Sequence, residues 1–150
     1  MQHGSWSWLL ALVVAALAGV AAAAPAARES AGELSVTVSY KGKGEVDAKH
    51  DIFVFLFDTP NIGAGSLPIA TRAVNKNGAA AKFADLSVSP VYVGVAYDET
   101  GDYDGFSGPP PPGTPVAIYS TDGKGTPAPV DVSGTAQITM TFTDSQRTGG

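Results

Sequence analysis

The chain has 150 residues, no cysteine, and 9 Lys and Arg against 14 Asp and Glu, a formal net charge of −5. The missing cysteines exclude disulfides and argue against a cysteine-linked lipid anchor, so the core alone must stabilise the fold. The negative balance without a basic cluster argues against nucleic acid as a partner, because phosphates would repel such a domain.

An apolar segment lies near the amino terminus. Residues 6–24 contain no charge, are rich in alanine and precede Pro25. This pattern is typical of an export signal, and we predict cleavage between Ala23 and Arg28, which makes residues 1–27 a signal peptide. An uncleaved anchor is the alternative, although alanine is only weakly apolar. We expect a secreted or periplasmic protein without stable membrane insertion after cleavage.

Short apolar segments with the period of β-strands fill residues 28–144. The segments assigned to strands are 33–40, 52–57, 68–74, 79–86, 90–98, 116–119, 130–132 and 136–143. The residues from Asn75 to Gly78 predict a tight hairpin turn, because Asn and Gly accept positive φ angles. A short helix over 79–86 is the alternative to a strand, but a segment of about eight residues is too short to be helical without packing.

Seven or eight short strands without a convincing helix predict an all-β domain, an antiparallel β-sandwich spanning residues 28–144. The four consecutive prolines 109–112 must be extended and lie outside the sheets, as a stiff spacer. Residues 145–150 are expected to form a disordered tail.

The segment 52–57 is apolar on both faces. Its alternating residues form an aliphatic set, Ile52, Val54 and Leu56, and a phenylalanine set, Phe53, Phe55 and Phe57. If the phenylalanine set enters the core, the aliphatic set needs another cover. We expect either a homodimer through this sheet or the loop 59–67 to provide that cover.

The strand 90–98 runs into an acidic loop, with glycines at 101 and 105 that let the loop fold back. Asp98, Asp102 and Asp104 are candidate ligands of Ca²⁺, a hard cation that prefers carboxylate oxygens. The spacing does not fit the helical calcium-loop pattern. The alternative is a solvated turn in which the aspartates cap backbone amides.

Residues suited to catalysis are scarce. His50 is the single histidine beyond the signal segment, and it lies at the start of an apolar strand, where a surface or turn role is expected. Without cysteine, the usual nucleophile-plus-base arrangements and multi-histidine metal sites are largely unavailable. We therefore predict no catalytic residues. A hydrolase that uses paired acids such as Asp98 and Asp104 is the remaining enzymatic alternative.

The segments 83–86, 91–98 and 101–104 read FADL, VYVGVAYD and GDYD. This pattern resembles transthyretin-like, or carboxypeptidase regulatory-like, domains, in which Phe and Leu precede a Tyr-x-Val-x-Val-x-x-Asp strand and an Asp-rich turn. The resemblance implies an immunoglobulin-like or prealbumin-like sandwich that acts as an accessory module. The link 87–90, where a glycine is usual, and the proline-rich insertion depart from the pattern. The histidines and Tyr-Arg-Gly-Ser ending of the related hydroxyisourate hydrolases are missing.

These observations predict a non-catalytic, exported accessory or binding domain of the cell envelope. A calcium-stabilised structural module is the alternative. A homodimer or an envelope protein is the expected partner, and the residues do not identify a ligand.

Overall fold

A computed structural model describes residues 31–149, so the predicted signal peptide, residues 1–27, lies outside the described residues. Within 31–149 there is no helix, and hence none with the length and hydrophobicity needed to cross a bilayer. The strands are β1 (Gly32–Tyr40), β2 (Ile52–Phe57), β3 (Ala70–Val74), β4 (Ala80–Leu86), β5 (Tyr92–Tyr97), β6 (Val116–Ile118) and β7 (Thr135–Phe142).

The strands form two sheets, with the orders β4-β1-β7 and β3-β2-β5-β6. The sheets share one core, which confirms the predicted all-β sandwich. Paired strands are antiparallel except β1 and β7, which run parallel in unbroken register from Glu33 opposite Thr135 to Tyr40 opposite Phe142. Apolar alternation is the same for either strand direction, so the sequence pattern does not indicate this parallel pair.

The core between the sheets is built from alternate side chains. On β1 the inward residues Leu34, Val36, Val38 and Tyr40 are at most 2% exposed, as their alternation predicts. β5 contributes Val93, Val95 and Tyr97 from the opposite sheet, and β7 contributes Met140 and Phe142.

β2 is buried on both faces, but its faces are reversed from the prediction. The aliphatic set is fully enclosed between the sheets. The phenylalanine set lies on the outer face of the four-stranded sheet, in a second cluster that Ile62 and Tyr103 help to cover. Loops of the same chain therefore provide the cover, including the predicted loop 59–67 through Ile62. Two apolar faces with the same period of two give no indication of which one turns inward.

The turn at residues 75–78 forms where predicted, with Gly78 at φ +79°. It is not a hairpin, because β3 and β4 pair with different strands in different sheets. The side chain of Asn77 joins this turn to the end of β1. Its Oδ1 accepts a hydrogen bond from the Tyr40 amide at 2.8 Å, and its Nδ2 donates to the Tyr40 carbonyl at 2.7 Å. Segment 79–86 forms a strand rather than the alternative helix.

The segment 130–132 forms a single bridge rather than a full strand, with hydrogen bonds of 2.9 and 2.8 Å between Val130 and Val91. Residues 145–149 also differ from the predicted disordered tail. The Val116 amide donates to the Gln146 carbonyl at 3.0 Å, and the Gly113 amide donates to the Thr148 carbonyl at 2.8 Å. Because backbone hydrogen bonds hold this segment in place, its side-chain pattern does not predict that it is ordered.

Replacing Val54 by Lys should lower the free energy of unfolding by about 3 kcal/mol or more, because the ammonium group would enter a closed apolar core. Ala73→Lys, at an exposed position on the neighbouring β3, is the control and should change stability by about 0.5 kcal/mol at most. Urea denaturation of both variants measures the difference. A Val54→Lys protein as stable as the control would contradict the observed orientation of β2.

Candidate functional site

Three segments meet at one end of the sandwich, which we call the acidic end. They are the β1–β2 loop (41–51), the β5–β6 loop (98–115) and the residues 143–149 after β7, and together they carry eight acidic residues and four Lys or Arg. The amide of Asp98 donates to the carbonyl of Asp51 at 2.9 Å. The guanidinium of Arg147 binds the carboxylate of Glu99 at 2.7 Å. These contacts join the three segments into one surface.

Asp98 anchors the β5–β6 loop, and it is only 4% exposed. Its Oδ1 accepts hydrogen bonds from the Gly101 amide at 2.8 Å and the Thr100 hydroxyl at 3.3 Å. Its Oδ2 accepts one from the Tyr103 amide at 3.1 Å. Both carboxylate oxygens are thus used to close a turn around Gly101, which has φ +76°.

Asp104 closes a second turn, on the surface of the same loop. It accepts hydrogen bonds from the backbone amides of Phe106 and Ser107, each at 2.9 Å, and from the hydroxyl of Ser107. These bonds, with the Ser107 hydroxyl as the largest contribution, lower the pKa of Asp104 to about 2 because they favour the ionised carboxylate.

Tyr103 and Gly105 fold the loop onto the phenylalanine set. The Tyr103 ring packs edge-on against Phe53, with 5.1 Å between the centroids, and its hydroxyl donates to the Gly108 carbonyl at 2.9 Å. Burial is the main reason that the pKa of Tyr103 rises to about 12. A Cβ atom on Gly105 would lie 2.3 Å from a ring carbon of Phe53, and the backbone has φ +77°. Glycine is therefore required at this position.

The three predicted calcium ligands have separate roles. Asp98 and Asp104 cap the backbone of two different turns, as in the alternative interpretation, while Asp102 is exposed. Within residues 31–149, no group of three or more His, Cys, Asp or Glu is placed to hold a metal ion. Calcium binding here stays a prediction, as does hydrolysis through the pair Asp98 and Asp104, whose oxygens accept loop hydrogen bonds.

A cleft of about 360 Å³ lies beside Asp98 at the acidic end. It is lined by Lys43, Gly44, Glu45, Asp47, His50, Tyr97 and Glu99. At its base the Tyr97 ring stacks on Tyr40, with 4.1 Å between the centroids. The Tyr97 hydroxyl donates to the carbonyl of Glu45 at 2.8 Å. Sequence reasoning missed this cleft because its residues come from separate loops that only the fold brings together.

His50 and Asp47 form one wall of the cleft. The Nδ1 atom of His50 lies 2.9 Å from Oδ1 of Asp47. The same oxygen accepts hydrogen bonds from the backbone amides of Lys49 at 2.9 Å and His50 at 2.8 Å. These bonds lower the pKa of Asp47, the Lys49 amide most strongly. His50 therefore belongs to a turn that Asp47 holds together.

Arg147 connects Glu99, which lines the cleft, to the segment after β7. Besides Glu99, the guanidinium of Arg147 donates to the Gly113 carbonyl at 2.6 Å. The hydrogen bond from Arg147 lowers the pKa of Glu99. Nearby, the pKa of Asp51 is raised by partial burial and then by the charges of Asp98 and Asp47. The segment after β7 thus helps to hold Glu99 in place through Arg147.

Comparison with known proteins found no matching family model, no similar curated protein and no similar solved structure. The function of this chain must therefore be inferred from its own geometry.

Replacing Gly105 by Ala should lower the free energy of unfolding by about 1–3 kcal/mol, because the methyl group meets Phe53 and the positive φ disfavours a side chain. Gly63→Ala is the matched control, since a Cβ there meets nothing within 4 Å. Thermal denaturation compares the two variants. Equal stability would show that the loop does not pack on the phenylalanine set as described.

The low pKa of Asp104 predicts a pH dependence. Because the folded pKa lies below the ordinary value, the Asp104 carboxylate stabilises the fold above about pH 4, and this contribution is lost as the pH falls towards about 2. Asp104→Asn should remove that part of the acid sensitivity, whereas Asp102→Asn should keep it. Melting temperatures from about pH 5 to about pH 2 measure the effect. Identical acid profiles for the two variants would contradict the role of Asp104.

Proposed function

We propose that this protein is a non-catalytic accessory or binding domain, exported to the cell envelope as a secreted or periplasmic protein, and that it binds its ligand at the acidic end. The observation that carries the proposal is the cleft with walls held by side-chain hydrogen bonds. Asp47 and Asp98 each accept two backbone amide bonds within their own turns. Loops ordered before binding lose less conformational entropy when a ligand binds.

The residues that line the cleft support binding over catalysis. The described residues that line it include no serine, threonine or cysteine, and the hydroxyl of Tyr97 already donates its hydrogen bond to the Glu45 carbonyl. The lining of the cleft has three carboxylates, those of Glu45, Asp47 and Glu99, and even with Glu99 paired to Arg147 the other two outnumber the single ammonium group of Lys43. This charge balance favours a neutral or cationic polar ligand, such as an amino sugar of the envelope, over an anion.

The resemblance of residues 83–105 to transthyretin-like or carboxypeptidase regulatory-like domains is part of this proposal. These residues include most of β4, the whole of β5, the Asp98 turn and the start of the Asp104 turn. A sandwich that carries its polar loops at one end suits an accessory module, whose function depends on loops held by a rigid scaffold. A homodimer or an envelope protein partner belongs to the same proposal.

Calorimetry with glucosamine, chito-oligosaccharides and soluble cell-wall fragments tests the proposed site. At least one probe should bind, and Glu45→Gln should weaken its binding about threefold by removing a carboxylate from the rim. This variant keeps the Glu45 carbonyl that accepts from Tyr97. Asp58→Asn, at an exposed position at the other end of β2, is the control and should leave the affinity unchanged. Hydrolysis of a probe would contradict a non-catalytic role, and an absence of binding would contradict the ligand class.

A calcium-stabilised structural module is the second candidate, favoured by the exposed Asp102 between two carboxylates that are already held in place. The same panel includes millimolar Ca²⁺ against chelator. A calcium module requires a melting temperature that rises with Ca²⁺ and a rise that disappears when Asp102→Asn and Asp104→Asn are combined. Equal melting curves in both solutions would exclude it.

A further inference from the structure

In the described part of the chain, residues 31–149, the two sheets have four edge strands, and three of them carry features that prevent pairing with another chain. On β4, Lys82 is exposed and the register shifts beside Asp85, which has φ +56°. β3 has only five residues and carries the exposed Arg72. β6 has three residues, and residue 146 covers its outer side at Val116.

The fourth edge strand, β7, has none of these features. It has eight residues without a charge, proline or glycine, and its register with β1 is unbroken. The carbonyls of Gly134 and Phe142 accept from the amides of Glu33 and Lys41, so the even-numbered residues of this segment direct their backbone groups to β1. Alternation then places the amides and carbonyls of the odd-numbered residues, 135 to 141, on the side of β7 that no other described strand occupies.

Side chains on β7 also leave apolar surface at this edge. Met140 and Phe142 are each 5% exposed, whereas Ala136 and Ile138, which point to the same core, are only partly buried. A strand added beside β7 would cover these two residues and pair the free backbone groups. The edge therefore offers both hydrogen bonds and apolar contact to an added strand.

We propose that β7 pairs antiparallel with β7 of a second copy of the chain, so that two three-stranded sheets become one six-stranded sheet. The proposal does not rest on what the cleft binds, because different residues form the two surfaces. It also differs from a dimer through β2, which is a central strand with both faces covered.

The position of the two-fold axis is limited by the need to keep the core-facing side chains of both copies on the same face of the sheet. An axis that passes through a residue pairs odd with odd and even with even positions, which keeps core-facing side chains on one face. With the axis at Thr139, Ala136 lies opposite Phe142, and Ile138 lies opposite Met140. Small and large side chains are then matched across the core face.

Charge and size point to a second copy as the occupant. Self-pairing brings no like charges together because β7 is uncharged, and on its exposed face Thr139 meets Thr139 of the second copy while Gln137 meets Thr141. Contact confined to one pair of edge strands is small compared with the roughly 1,200 Å² of a stable interface. The dimer is therefore expected to be reversible and to depend on protein concentration.

Sedimentation equilibrium of the exported chain, from about 10 µM to about 1 mM, tests the proposal in the range where small interfaces associate. The dimer fraction should rise with concentration. Thr139→Lys places two ammonium groups at the axis and should weaken association at least about tenfold, while the exposed position leaves the fold intact. Thr37→Lys is the matched control, since Thr37 is the in-register neighbour on the central strand β1, and it should still dimerise.

Hydrogen exchange gives a second measurement, which does not depend on a variant that folds. The amides of Gln137, Thr139 and Thr141 should exchange more slowly as protein concentration rises, while exposed amides of the β2–β3 loop should not change. A protein that stays monomeric at the highest concentration would overturn the proposal. So would a dimer that Thr139→Lys leaves intact, or protection that appears on β3 instead of β7.

Discussion

The structure depends on the burial of β2 on both of its faces. Full burial of a large apolar side chain adds roughly 1.5 to 3 kcal/mol to the free energy of unfolding. Leaving either the aliphatic or the phenylalanine set of β2 in water would therefore cost much of the stability of the fold. The opposite sheet covers the aliphatic set. Residues 31–149 form no third sheet above the outer phenylalanine set, and Tyr103 and Ile62 from two loops cover part of it instead. A sandwich of two layers thereby acquires a partial third layer made of loops.

The need to cover the phenylalanine set explains why the polar β5–β6 loop packs against the sheet. The ring of Tyr103 packs against Phe53 of the sheet, and its backbone amide donates a hydrogen bond to the Asp98 carboxylate within the loop. Asp98 in turn immediately follows Tyr97, whose hydroxyl lies at the cleft. The packing energy that holds the loop on the sheet therefore also positions one wall of the cleft. In a chain without cysteine, this coupling of loop to core acts together with the Arg147–Glu99 pair to hold the acidic end.

Local periodicity predicted most of the strands, because alternation in β1 and β7 reports burial of one face directly. Periodicity did not predict which strands pair with each other, because strand pairing depends on segments that are distant in sequence. The Asn75 to Gly78 turn was recognised from its residues, yet β3 and β4 enter different sheets. Asp98 and Asp104 were recognised as a cluster, yet each bonds amides two to five residues ahead of it. Acidic residues that are close in sequence therefore did not form one site. The cleft could not be predicted from any local pattern, because its residues come from separate loops.

The parallel pairing of β1 and β7 determines which edge of the molecule is left open. Within residues 31–149, β1 lies between β4 and β7 and is paired on both sides, whereas β7 has a partner on one side only. Thr139 and Thr141 lie in register with Thr37 and Ser39, so an uncharged hydroxyl face runs across both strands to the edge. Edge strands elsewhere in this chain carry charge, a bulge or a covering segment. β7 has eight residues and carries no charge, bulge or covering segment, so its edge has the fewest features that oppose the addition of another strand.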